Sequence, residues 1–348
     1  MQSKVIRILL PLCVSLAAVR AEVQTSEIQG FVKTSALANT DTLVSPIFSR
    51  PVAWYGAVQS VSASRVTVAG TTGWSTNQYA PATDTYYVRV RGGTLNGLIF
   101  TVVSNDATSV MLDGAGFDLT QLAASTQLEL VPYWSLGTLY PASQAGVSFV
   151  ATTSVLVHQT ELLVFDASGV GINRAASATY FYYNGAWRKN GASTATSFNS
   201  VVIGPDAYLM QRNKAAATAL TRAGRVHPGR MATVIEAMPA TGQDNLIAVG
   251  YPLDLTLRQT GLGGSSAFTT TTSAMSPLDE LLVYDTTQSG INRAPSATYI
   301  YYSGGWRKLG ASMSVDFSDS VTLSAGTGFI VRKVSAGTTG IWNFDTNL

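Results

Sequence analysis

Residues 161–193 read ELLVFDASGVGINRAASATYFYYNGAWRKNGAS, and residues 280–312 read ELLVYDTTQSGINRAPSATYIYYSGGWRKLGAS. The two stretches align without a gap, so the chain carries one supersecondary unit twice. Each opens on a short apolar run, LLVF or LLVY, ended by an aspartate and a glycine-containing turn, which is how a strand reads. Each closes on an aromatic octet, YYNGAWRK (182–189) or YYSGGWRK (301–308). Asn184-Gly185 is a type I′ hairpin signal, because that turn requires positive φ at both central residues; Ser303-Gly304 holds the same place in the second copy. A two-residue turn also fixes register. Tyr183 faces Ala186, Tyr182 faces Trp187, Phe181 faces Arg188 and Tyr180 faces Lys189.

Similarity continues outward. LELVPYWSLGTL (128–139) matches LIAVGYPLDLTL (246–257) at Leu, Val, Tyr, Thr and Leu, and YLMQR (208–212) matches GFIVR (328–332). The drifting offset puts the insertions in loops. Copy A is placed at 126–226 and copy B at 244–348, with 227–243 as the connection, within which MATVIEA adds a candidate strand. NKAAATALTRA (213–223) fits a helix, but its counterpart SAGTTGIWNF favours a strand. Residues 22–125 differ from both copies. SRVTVAG (64–70) and YYVRVRGG (86–93) alternate apolar and polar positions, and a turn at Ser104-Asn105-Asp106 separates two strand-like runs. Residues 70–83 read as a long surface loop. The expected fold is all-β: a small N-terminal antiparallel barrel-like domain followed by two tandem homologous β-sandwich- or barrel-like modules.

The first residues, MQSKVIRILLPLCVSLAAVRA, have the basic start, short apolar run and small-residue end of a secretory signal, with cleavage expected after Ala21. The run is too short to span a bilayer and is broken by Pro11. Removing residues 1–21 takes away Lys4, Arg7 and Arg20, which leaves 19 basic residues against 20 acidic ones, a net charge of −1. Such a chain has no long-range pull on nucleic acid. It also loses Cys13, the one cysteine, so disulfide and thiolate chemistry are excluded. Composition is 46% hydrophobic and 12% charged, about half the usual charged share. An exported protein of the periplasm, cell surface or extracellular space, with no transmembrane span after cleavage, fits these features.

Catalytic constellations are poor. His158 and His227 lack metal-ligand spacing, Pro277 stands opposite His158 in the second copy, and both histidines read as exposed loop residues. GGSSA (263–267) resembles a nucleophile elbow but ends on Ala267, and both histidines precede Ser265. Glu161 and Asp166, like Glu280 and Asp285, are five apart, which sends them to opposite faces of a strand. GINR (171–174 and 290–293) offers an asparagine suited to a positive-φ turn and an arginine suited to covering an aromatic ring. Calcium on Asp166 and Asn173 lacks a second nearby carboxylate. The reading carries no catalytic residue, no metal and no cofactor.

The hairpin register puts Tyr180, Tyr182, Trp187 and Lys189 on one face, and Tyr299, Tyr301, Trp306 and Lys308 on its counterpart. Phe181 and Ile300 interchange on the opposite face, as a core position tolerates, so the Phe/Ile face is expected inward and the Tyr-Tyr-Trp-Lys face outward. These eight residues are the ligand-binding candidates: an exposed aromatic ladder could stack on sugar rings. The alternative is packing between strands.

LVSPIFSRPVAWYGAV (43–58), YYVRVRGGTLNGLIFTVVSNDATSVML (86–112) and the YYxGxWR endings together make the chain similar to a family of secreted bacterial β-proteins with no assigned activity. The resemblance spans the mature chain and implies export and a β-rich fold; it assigns no functional residue. The expected function is an exported, non-enzymatic structural or surface-interaction protein, with tandem carbohydrate-binding modules as the alternative and a secreted hydrolase as a minor one. A polysaccharide, an envelope or matrix component, or a second copy of the chain are the partners these readings admit.

Overall fold

The computed structural model describes residues 27–346 except 83, 167, 215, 239 and 334–336. The expected signal segment lies outside the described residues. The fold is all-β, and among the described residues no helix is long and apolar enough to cross a membrane.

Strands β1 (Gln29–Ala36) and β2 (Thr40–Val44) come first. A closed antiparallel barrel follows, made of β3 (Trp54–Ser62), β4 (Arg65–Val68), β5 (Tyr86–Arg91), β6 (Ile99–Asn105), β7 (Ser109–Asp113) and β8 (Gln127–Pro132), in the order β3-β4-β7-β6-β5-β8. Alternation along each strand fills its interior. Val88 and Val90 point in with Val66, Phe100, Val102, Leu112, Leu128 and Leu130, while Tyr87, Arg89 and Arg91 take the outer side. Residues 70–82 are more than the surface loop expected over 70–83. Trp74 and Tyr79 are buried in the barrel core, joined edge-to-face to Trp54 at 5.0 Å and to Tyr86 at 5.0 Å. A barrel this small is filled by side chains, and the loop supplies two large ones.

The remaining chain runs β9 (Trp134–Ser135), the one-turn helix α1 (Leu136–Leu139), β10 (Thr160–Val164), β11 (Ala178–Tyr183), β12 (Ala186–Lys189), β13 (Val202–Ile203), β14 (Leu209–Asn213) and β15 (Thr218–Arg225). It continues with β16 (Gly229–Ile235), β17 (Gln243–Ala248), β18 (Leu255–Thr256), β19 (Asp279–Val283), β20 (Ala297–Tyr302), β21 (Gly305–Lys308), β22 (Thr322–Leu323), β23 (Gly328–Lys333) and β24 (Gly340–Thr346). Two five-stranded sheets result, β12-β11-β10-β14-β2 and β21-β20-β19-β23-β17, with the same internal order. Each has a two-stranded ribbon beside it in sequence, β1–β15 and β16–β24, and a short pair, β9–β13 and β18–β22.

The expected hairpins form as read. Asn184 and Gly185 have φ of 46° and 77°, Ser303 and Gly304 have 49° and 75°, and the pairing is Tyr183↔Ala186, Tyr182↔Trp187, Phe181↔Arg188 and Tyr180↔Lys189. The 213–223 stretch supplies the end of β14 at Asn213 and, from Thr218, most of β15, and MATVIEA supplies β16. The match of 128–139 with 246–257 fails in its first half: Leu128–Pro132 completes the barrel as β8, whereas Leu246–Ala248 ends β17. The strand at the β17 position of the other sheet is β2, so Thr40-Asp41-Thr42-Leu43-Val44 corresponds to Gln243-Asp244-Asn245-Leu246-Ile247.

Both faces of both sheets are covered. On one face of the first sheet, Leu162, Tyr180, Tyr182, Trp187 and Leu209 pack with Leu136, Tyr140, Phe149 and Leu220. In the second sheet Leu281, Tyr299, Trp306, Phe329 and Val331 pack with Phe268 and Trp342. The opposite faces meet each other: Leu43, Tyr208 and Met210 pack against Leu246, Ala248, Leu282 and Ile330, with Phe165 and Tyr284 at the margin.

Candidate functional site

The aromatic hairpins do not present a platform. Trp187 is 0% exposed and Trp306 1%; Tyr180, Tyr182 and Tyr299 are buried, and Tyr301, Lys189 and Lys308 are half-buried. The Trp187 indole N–H donates to the Tyr140 carbonyl at 3.1 Å, and its ring packs against Tyr182 at 5.5 Å and Phe149 at 5.0 Å. The Tyr-Tyr-Trp face therefore points into each sheet's own core, which corrects the outward orientation expected from the sequence. The Phe181/Ile300 face is buried too, with Phe181 stacked under the His158 ring at 3.9 Å. The Phe/Ile interchange identified a core position correctly, but a sheet covered on both sides has two cores, so the inference about the other face did not follow.

The GINR segments are placed more tellingly. Asn173 and Asn292 adopt the expected positive φ, 53° and 54°. Each segment then reaches the edge strand of the other sheet. The Asn173 N–H donates to Asp244 Oδ2 at 2.6 Å, Asp244 N–H donates to the Gly171 carbonyl at 3.0 Å, and Gly171 N–H donates to Gln243 Oε1 at 2.9 Å. In the counterpart, Asn292 N–H donates to Asp41 Oδ2 at 2.7 Å, Asp41 N–H to the Gly290 carbonyl at 3.0 Å, and Gly290 N–H to Thr40 Oγ1 at 3.2 Å. A guanidinium completes each clasp. Arg332 holds Asp244 through both carboxylate oxygens at 2.7 and 3.0 Å and donates to Asn173 Oδ1; Arg212 holds Asp41 at 2.7 and 2.9 Å and donates to Asn292 Oδ1. Hydrogen bonding to these carboxylates pushes both arginines above their ordinary values. Arg174 and Arg293 lie on the edge-strand carbonyls of Asp244 and Asp41 and on the Asp166 and Asp285 carbonyls within their own loops, not over an aromatic ring.

Two of the oxygens that a calcium ion on Asp166 and Asn173 would use are engaged within the protein. Asp166 Oδ1 accepts from the Ser168 N–H and hydroxyl, and Asn173 Oδ1 from Arg332. Neither histidine is an exposed loop residue. His158 lies 2.8 Å from Glu161 and beneath solvent only at its margin, while His227 is buried where barrel and ribbon meet. There the Arg225 guanidinium grips Glu129 at 3.0 and 3.1 Å, and Arg91 reaches His227 Nε2 at 2.9 Å. Burial, then the neighbouring Arg89, Arg91 and Arg225, holds the imidazole far below its usual value, so it stays neutral. Ser265 Oγ donates to the Leu262 carbonyl and accepts from the Ala267 N–H, the work of a turn.

A cavity of about 240 Å³ lies beside one clasp, walled by Ile99, Phe117, Phe165, Tyr208, Asp206 and Asp244. Burial raises the Asp206 carboxyl and the Tyr208 hydroxyl. The described lining holds neither cysteine nor histidine.

Equivalent positions carry different charges. Thr160 donates to Asn213 at 3.0 Å in one sheet; at the same register the other buries an ion pair, Lys333 to Asp279 at 2.6 Å. Glu161 and Glu280 each face an arginine across the ladder, Arg212 and Arg332; Glu161 also has His158 and Lys214 beside it, whereas burial lifts the Glu280 carboxyl above the ordinary 4.5. A raised carboxyl favours the neutral form in the folded state, so its cost is absent below the unfolded value and present at neutral pH. Glu280→Gln is expected to raise stability at pH 7, by less than about 1 kcal/mol given its partial exposure, with no gain below pH 4. Glu161→Gln is expected to lower it at pH 7 by about 1.5–3 kcal/mol. Thermal melts at the two pH values check both.

Sequence reading found the GINR turns but missed Asp41, Asp244, Arg212 and Arg332. The signal was the short likeness of TDTLV (40–44) to QDNLI (243–247), which share aspartate and leucine at matching places. Comparison with protein-family models, with curated proteins and with solved structures finds no match to this chain.

Proposed function

We propose that the chain is an exported, non-enzymatic structural or surface-interaction protein built from a duplicated β-module, with the barrel carried between two strands of the first copy. Each copy, in this reading, is one five-stranded sheet with its ribbon, and β2 and β17 are the matching first sheet strands. The observation that carries the proposal is the burial of Trp187 and Trp306: the most distinctive repeated residues serve as core. Support also comes from the clasps, which commit the repeated polar motif to holding one sheet on the other. Export rests on the reading of residues 1–21, and it agrees with the likeness to secreted bacterial β-proteins.

The experiment is co-sedimentation of the chain from Glu22 onward with insoluble polysaccharides. The chain is expected to stay in the supernatant. Retention that disappears when the half-exposed Tyr301 and Lys308 are both changed to alanine would replace the scaffold reading with the carbohydrate-binding one.

A further inference from the structure

Strand β1 has one committed edge and one open edge. The Val226 N–H donates to the Ile28 carbonyl at 2.8 Å, which makes Ile28 and Val226 a hydrogen-bonded pair. Hydrogen-bonded pairs alternate along an antiparallel ladder, so Gly30, Val32 and Thr34 also turn their backbone groups toward β15. The N–H and C=O of Gln29, Phe31, Lys33 and Ser35 then point the other way. Among the described residues nothing pairs with that edge.

The matching edge in the second ribbon is in use. There the Ala232 N–H donates to the Gly97 carbonyl of the barrel at 3.2 Å, on the side of β16 away from β24. The approach is close enough that a Cβ on Gly97, whose φ is 92°, would sit 2.9 Å from that nitrogen and 3.0 Å from the Arg230 carbonyl. Among the described residues there are one barrel and two such edges, and β1 is the one left over.

Edges left open in soluble proteins are ordinarily short, bulged, proline-bearing or charged. β1 has none of the first three: it is 8 residues long, pairs with β15 in unbroken register, and contains no proline. Its exposed face carries Gln29, Phe31, Lys33 and Ser35, and Phe31 is 77% exposed. An aromatic on an unpaired edge is a contact surface for another strand.

We propose that β1 pairs antiparallel with β1 of a second copy of the chain about a two-fold axis at Val32. In this register every outward backbone group from Gln29 to Ser35 finds a partner. Phe31 lies across from Lys33 of the partner subunit and can pack on its aliphatic stem, and Gln29 lies across from the partner's Ser35. Centring the axis on Lys33 would set like charges face to face, and centring it on Phe31 would leave outward groups at one end unmatched. The same strand satisfies itself, as an isologous interface must. The inference rests on the interaction-protein reading and deepens it by naming self-association as the contact.

Light scattering on the chain from Glu22 onward, across a dilution series, tests the pairing. The expected result is twice the monomer mass at high concentration, dissociating on dilution. Phe31→Pro removes an N–H that the β15 ladder does not use, and Phe31→Lys places a cation opposite the partner's Lys33; both are expected to give monomers with melting temperatures within a few degrees of the parent. A parent that is monomeric at all concentrations overturns the proposal while leaving the scaffold reading intact. A dimer that survives Phe31→Pro in a folded protein overturns it too, because the contact then lies elsewhere. Polysaccharide retention without any change in dimerisation would sink the scaffold reading alone.

Discussion

Trp187→Ala and Trp306→Ala each lose about 3–5 kcal/mol of unfolding free energy, the cost of emptying a fully buried indole site. Both side chains are enclosed by rings, Tyr140, Phe149 and Tyr182 around the first and Phe268 and Tyr301 around the second. Removing Trp187 also strips the Tyr140 carbonyl of its donor, so a phenylalanine there recovers the packing but not that bond. Denaturant unfolding checks the pair: two large shifts in midpoint are expected, with Trp187→Phe intermediate. A variant that melts like the parent would mean that the indole is not packed as described.

Asp244→Ala is the second large effect. The carboxylate is buried and takes two bonds from Arg332 and one from the Asn173 N–H, so its loss leaves a shielded guanidinium and a backbone donor without their acceptor. Breaking a buried pair from one side costs about 3–5 kcal/mol. Asp41→Ala is expected to behave alike, since Asp41 takes the corresponding bonds from Arg212 and Asn292. Hydrogen exchange locates the damage: Asp244→Ala speeds exchange at residues 171–174, and Asp41→Ala at 290–293, on the far loop in each case. Faster exchange confined to the mutated strand would show that the clasps do not bind loop to sheet.

Local chemistry was legible in the sequence and partnership was not. The Asn184-Gly185 turn, its register and the positive φ of Asn173 depend on residues next to one another, and each formed as read. Most of the barrel was legible because strands β3 to β7 alternate and pair close together in sequence, but its closing strand β8, Gln127–Pro132, was read as the start of the first copy. The inward face of the hairpin was not, because Tyr180, Phe181 and Tyr182 are all buried and no polar side marks the outside. The sheet membership of β2 was hidden by the barrel lying between Val44 and β10, since comparing continuous windows cannot bridge so long a separation. The partner of each GINR was hidden for a similar reason: a turn announces its own φ angles, but not the distant carboxylate that its amide will meet.

The order of the strands also sets a timetable for synthesis. The barrel can close as soon as Pro132 has emerged, using only its own residues. β1 and β2 are made earlier yet must wait for β15 and β14, and Asp41 waits longer still for the loop at 290–293. Closing such long loops is slow, and strands held waiting are open to wrong neighbours. A translation pause or chaperone contact would matter most between Pro132 and Arg225, when the barrel is finished and the first strands of the nascent chain are still unclaimed.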